Sequence, residues 1–99
     1  MTKNDIRRWL QWSTDPTDAG LRGSAACVLG PFASVLPEAF EALIRLSKDD
    51  HWCVRLQTVA AIYDLARSTI PSVERTIARE RLEALTKDDH EYVHLCAAS

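Results

Sequence analysis

The phrase Leu46-Ser47-Lys48-Asp49-Asp50-His51 returns 39 positions later as Leu85-Thr86-Lys87-Asp88-Asp89-His90. Each copy is followed in register by a valine and a leucine, Val54 and Leu56 in the first and Val93 and Leu95 in the second. A weaker third copy precedes them, with Leu21-Arg22-Gly23-Ser24-Ala25-Ala26 lying over Val54-Arg55-Leu56-Gln57-Thr58-Val59 at an offset of 33. Repetition on this scale is the mark of similar supersecondary units, none of which buries its apolar face alone. It constrains architecture strongly and chemistry weakly.

Composition fits one folded domain. The 99 residues are 46% hydrophobic and 26% charged, and only three glycines and four prolines interrupt an Ala-, Leu-, Arg- and Glu-rich chain, which favours helix over strand. The net charge of −2 lacks the basic excess of a phosphate-binding domain, so direct nucleic-acid binding is disfavoured. Arg7, Arg8, Arg75, Arg79 and Arg81 do not alter this, because Glu74, Glu80 and Glu83 interleave with them as on a solvated helix face. No run approaches the roughly 20 apolar residues that span a bilayer, and the start lacks a secretory core, so a cytoplasmic protein without membrane contact is expected. Cys27, Cys53 and Cys96 are odd in number and scattered, as reduced thiols are.

Six helices are expected. The first covers roughly Asn4 to Ser13, with Ile6, Trp9 and Leu10 on one side. Asp15 caps the second with Pro16 in its first turn, and Leu21, Ala25, Val28 and Phe32 form its stripe until Gly30-Pro31 ends or kinks it. Pro37 starts the third, which buries Phe40, Leu43, Ile44 and Ser47 and pairs Glu41 with Arg45 in solvent. Asp49 and Asp50 cap the fourth, whose stripe is Val54, Thr58, Ile62 and Leu65. After a break at residues 68–72, the fifth turns Val73, Ile77, Leu82 and Leu85 inward. Asp88 and Glu91 read as a capping box for a short sixth helix with Val93, Cys96 and Ala97 inward.

An Asp-rich turn, then Val-Arg, then small residues and an aliphatic resembles the HEAT and HEAT-like repeat family. The residues that carry it are Asp50 with Val54-Arg55 and Ala60-Ala61-Ile62, and Asp15 with Leu21-Arg22, Ala25-Ala26 and Leu29-Gly30. Asp89 with Val93-His94 and Ala97-Ala98 departs from the pattern, replacing the arginine and lacking the closing aliphatic. The resemblance implies an all-α, short right-handed α-solenoid of about three helical hairpins, one domain over 1–99 with repeats near 1–33, 37–68 and 72–99. It also implies that aspartate and arginine form a ladder between neighbouring turns, which makes Arg22 and Arg55 structural.

Among chemical candidates, His51, Cys53, His90 and His94 deserve weighing as metal ligands, since His90 and His94 share a helix face as zinc-binding pairs do. Repetition alone explains His51 and His90, and Cys53 corresponds to Tyr92 in the next copy, so no metal or other cofactor is expected. Cys96-Ala97-Ala98-Ser99 matches a prenylation box, but no basic run precedes it and the inward stripe hides Cys96. No phosphate loop, nucleophile elbow or zinc-protease motif is present.

The sequence therefore predicts a non-enzymatic protein-binding module. The expected contact residues are Trp12, Asp49, Asp50, His51, Trp52, Asp88, Asp89, His90 and Tyr92, with Trp9 covering the end of the stack. Two versions of that role compete: an adaptor in a larger complex, and a stand-alone inhibitor or immunity-type blocker, which a short chain without a second domain favours. Paired acids on successive turns suit the blocker, since they oppose a basic site. The different-class alternative is a metal- or tetrapyrrole-associated lyase, as some HEAT-like proteins are. Another protein is the expected partner, with self-association through the short C-terminal repeat as a further expectation.

Overall fold

Short polar side chains decide where these helices begin. A computed structural model describes residues 2–98. Thr2 and Asp5 cap each other reciprocally at the start of α1, Lys3–Trp12. Asp18, rather than Asp15, caps α2, Ala19–Leu29, by accepting the Leu21 N–H. Asp15 instead accepts the Thr17 N–H and hydroxyl, closing a turn before the helix opens. Gly30–Phe32 continues α2 as one 3₁₀ turn, and α3 starts at a proline, Pro37–Leu46.

His51, not the preceding aspartates, caps α4, Trp52–Arg67, through its ring Nδ1. The last two helices are α5, Ser72–Thr86, and α6, Glu91–Ala98. Asp88 and Glu91 do not form the expected box; Asp88 accepts the His90 N–H, and the His90 ring accepts that of Tyr92. No strand occurs among the described residues, and no helix in them is long and apolar enough to cross a membrane.

Packing alternates along the chain. Helices α2 and α4 pack closely, as do α4 and α6, whereas the backbones of α1 and α3, and of α3 and α5, lie farther apart and meet through side chains. The molecule measures 35 × 33 × 16 Å. Two layers of helices about 8–10 Å apart, each with a Cα radius of about 2.3 Å, account for the short dimension. Ala25, Ala26 and Leu29 of α2, Leu43 and Leu46 of α3, and Val54, Ile62 and Leu65 of α4 form the main core. Val59, Leu85, Val93 and Ala97 form a smaller one where α6 meets α4 and α5.

Close approach to α4 needs small residues on α2 and at the start of the 3₁₀ turn after it. A Cβ at Gly30 would lie 3.1 Å from the Ala61 Cβ, and one at Gly23 would lie 3.2 Å from the Gln57 Cγ. Two inward expectations fail by one helical position. On α5, Leu85 is buried and Ile77 and Leu82 pack against the core as expected, but Ala78 is the other buried residue and Val73 is 68% exposed. On α6, Val93 and Ala97 are buried four apart, which leaves Cys96 exposed. The prenylation-box reading ends at Ser99, outside the described residues.

Candidate functional site

The repeated phrase folds into two equivalent corners, between α3 and α4 and between α5 and α6. In each, an aspartate carboxylate accepts the N–H two residues on, Asp49 from His51 and Asp88 from His90, both at 2.9 Å. The histidine ring then accepts the N–H two residues further, from Cys53 at 3.1 Å and Tyr92 at 3.3 Å. Nδ1 of both rings is therefore an acceptor, which places the ring proton on Nε2.

Arginines tie successive corners together. Arg22 donates Nε and Nη2 to the two carboxylate oxygens of Asp49 at 2.8 and 3.0 Å, while its Nη1 donates to the Asp15 carbonyl at 2.8 Å. Arg55 repeats this one unit on, holding Asp88 at 2.8 and 3.1 Å and the Asp49 carbonyl at 2.8 Å. His94 stands where the next arginine belongs and keeps one of these bonds, from Nδ1 to the Asp88 carbonyl at 3.0 Å. The ladder aspartates are thus Asp49 and Asp88, one position before Asp50 and Asp89.

These are fork-on-fork pairs in partly dry surroundings, the strongest geometry for an arginine and a carboxylate. The Asp49 and Asp88 side chains retain 12% and 10% exposure. Burial alone would raise the Asp49 carboxyl, but the bonds from Arg22 and the His51 N–H outweigh it and hold it below the usual carboxylate range. Asp88 is lowered in the same way, against burial, by Arg55 and the His90 N–H. The paired guanidinium groups are raised in turn, each first by the hydrogen bond to its aspartate.

A second ladder joins the other helices of each pair. Ser13 and Ser47, the C-caps of α1 and α3, donate their hydroxyls back to Leu10 and Ile44 and accept from the following unit. Arg45 Nη2 reaches Ser13 Oγ at 2.7 Å, and Arg81 reaches Ser47 through Nε at 3.0 Å and its carbonyl through Nη2 at 3.1 Å. Arg45 is therefore not the partner of Glu41, and Arg81 is not a free surface cation. The signal for this ladder was present as Ser13-x-Asp15, Ser47-x-Asp49 and Thr86-x-Asp88, a spacing that repeats with the corners.

The two corners bring four rings together. Trp52 and His90 stack with centroids 4.1 Å apart and planes 6° apart. His51 lies 6.1 Å from Trp52, and Tyr92 lies 5.8 Å from Trp52 and 5.6 Å from His90. Trp52 and His90 are half-buried, and Tyr92 is 61% exposed. Asp50 points to solvent, as does Asp89, whose side chain is 98% exposed and lies 3.6 Å from Arg55 Nη2.

The expected contact residues therefore separate into three groups. Asp49 and Asp88 are engaged in the ladder; Asp50, His51, Trp52, Asp89, His90 and Tyr92 share one edge. Trp12 instead meets Trp9 edge-on at 4.8 Å and 84°, with no ring contact to the edge cluster among the described residues. His51, Cys53, His90 and His94 do not converge, and among the described residues no three His, Cys, Asp or Glu side chains are arranged to hold a metal. The Nδ1 atoms of the three histidines face backbone groups instead. Chemically, the edge offers two stacked faces, an exposed phenol and two solvated carboxylates. Comparison with family models, curated proteins and solved structures found no match to this chain.

Proposed function

We propose that this chain is a non-enzymatic protein-binding module built as a HEAT-like, right-handed stack of three helical hairpins. The observation that carries the proposal is the repeated corner. Two copies of one turn, joined by Arg55, set Trp52, His90 and Tyr92 against one another beside the exposed carboxylates of Asp50 and Asp89. Rings already ordered by stacking lose little freedom on contact, and half-buried aromatics flanked by charge are the usual centre of a binding surface.

The edge matches a partner surface that carries arginine or lysine among apolar groups. A guanidinium packs on the exposed Tyr92 ring while the two carboxylates neutralise neighbouring cations. Such a partner fits the inhibitor or blocker version of the role, in which the edge occupies a basic site; an adaptor uses the same edge to hold a subunit. The reading needs no bound cofactor.

The test is quantitative affinity capture from the native cell with wild-type protein and with the Trp52→Ala and Tyr92→Ala variants. The reading expects one protein retained by the wild type and depleted by both variants. Equal capture by all three contradicts it. Competition between the captured protein and a nucleic acid then separates blocker from adaptor.

A further inference from the structure

At the opposite ends of α3 and α5 from the corners, the two helices leave a cleft of about 300 Å³. That is the lower end of the range for sites that take a small ligand or an inserted side chain. Phe40, Ile70, Ile77 and Leu36 supply apolar wall, and Glu41 and Glu74 are the only charged residues in its lining. Neither carboxylate takes part in an ion pair among the described residues. Glu74 Oε2 is buried and accepts no hydrogen bond there.

An orphaned carboxylate oxygen in such a place is unfavourable unless a donor reaches it. No donor reaches it among the described residues, and Arg45 and Arg81 are committed to Ser13 and Ser47. The cleft shares Phe40, Glu41 and Ile77 with a wider groove of about 850 Å³ toward the corners. Apolar walls around two unpaired carboxylates fit a cation carried on an aliphatic stem.

We infer that this cleft is a second binding site, which takes a lysine or arginine side chain of a peptide segment with apolar neighbours, Glu74 and Glu41 being its counter-charges. The stem lies against Phe40 and Ile77, and the ammonium or guanidinium pairs with the exposed Glu41 carboxylate and with Glu74, whose side chain turns from its buried position to meet the cation. The inference does not rest on the aromatic edge, which lies at the other end of these helices.

The probe is a displayed library of random dodecapeptides selected on the intact protein, with selected peptides resynthesised for fluorescence anisotropy. Expected is a set with lysine or arginine between apolar residues. Its affinity should fall at least about tenfold with Glu74→Gln, or when the peptide lysine is acetylated, as for loss of a charge-assisted bond. Glu41→Gln, at an exposed position, gives a second variant that cannot act by disturbing the core. Tyr92→Ala should leave the affinity unchanged, which separates failure here from failure of the edge. Selection without a shared cation, or binding indifferent to both glutamine variants, overturns the inference.

Discussion

The Trp52 indole and the His90 imidazole lie parallel, 4.1 Å apart, although each belongs to a different corner. The stack therefore forms only if the two corners keep their register. Removing it with His90→Ala also removes the ring that accepts the Tyr92 N–H. Stability should fall by about 1–2 kcal/mol, from a ring pair and a helix cap together, measured by urea denaturation. Tyr92→Ala, at an exposed position, should change stability by less than about 0.5 kcal/mol. A large loss there would mean that Tyr92 is structural.

Acid should reveal the Arg–Asp ladder. Asp49 and Asp88 titrate below the carboxyl value of 3.8 in the folded chain. Groups lowered by folding contribute stability above their unfolded pKa and lose it as pH falls through the folded one. Stability should thus be insensitive to these two groups near neutrality and decline below about pH 4. Asp88→Asn should lower the neutral plateau and flatten the acid limb. Denaturant midpoints from pH 2 to 7 check both, and an unchanged acid limb would contradict the assignment.

Gly23 on α2 and Gly30 in the 3₁₀ turn that follows it should respond with opposite signs. At Gly23 a new methyl meets the Cγ of a flexible glutamine, whereas at Gly30 it meets the Cβ of Ala61, fixed to a helix. Gly23→Ala should be neutral or stabilising by up to about 1 kcal/mol through helix propensity. Gly30→Ala should cost about 1–3 kcal/mol through overpacking. Thermal melts of the pair decide, and equal effects would argue against close α2–α4 packing.

Ser47 is fully buried and accepts from Arg81 while donating to Ile44. Ser47→Ala leaves the guanidinium with the carbonyl bond alone. A loss of about 1–3 kcal/mol is expected, and Ser13→Ala should behave alike through Arg45. Thermal unfolding of both variants measures this; no loss in either would remove the second ladder from the account.

Much of this arrangement was legible because repetition and helical periodicity are local signals. Pro37 announces α3, and Val54, Thr58, Ile62 and Leu65 announce the buried face of α4, as the structure has it. Errors arose where a polar side chain had two possible uses. Asp15 has the signature of a cap, but the backbone closes a turn on it first and Asp18 takes the cap. Asp49 and Asp50 look interchangeable in sequence; only the position of Arg22 across the turn commits one and frees the other. Long-range partners such as Arg81 and Ser47 have no local signature beyond the repeated Ser-x-Asp spacing. The ring cluster was partly legible, since His51, Trp52, His90 and Tyr92 were all candidates, but their mutual stacking depends on the tertiary register.

The most direct measurement is a double-mutant cycle on Arg55 and Asp88, using Arg55→Ala, Asp88→Ala and the double variant in urea denaturation. A fork-on-fork pair about nine-tenths removed from water that ties two corners into one edge predicts a coupling of about 2 kcal/mol, with each single change costing more than the interaction itself. Coupling below about 0.5 kcal/mol would show that the corners are not held together by this contact, and the edge proposed to bind a partner would lose its rigid support.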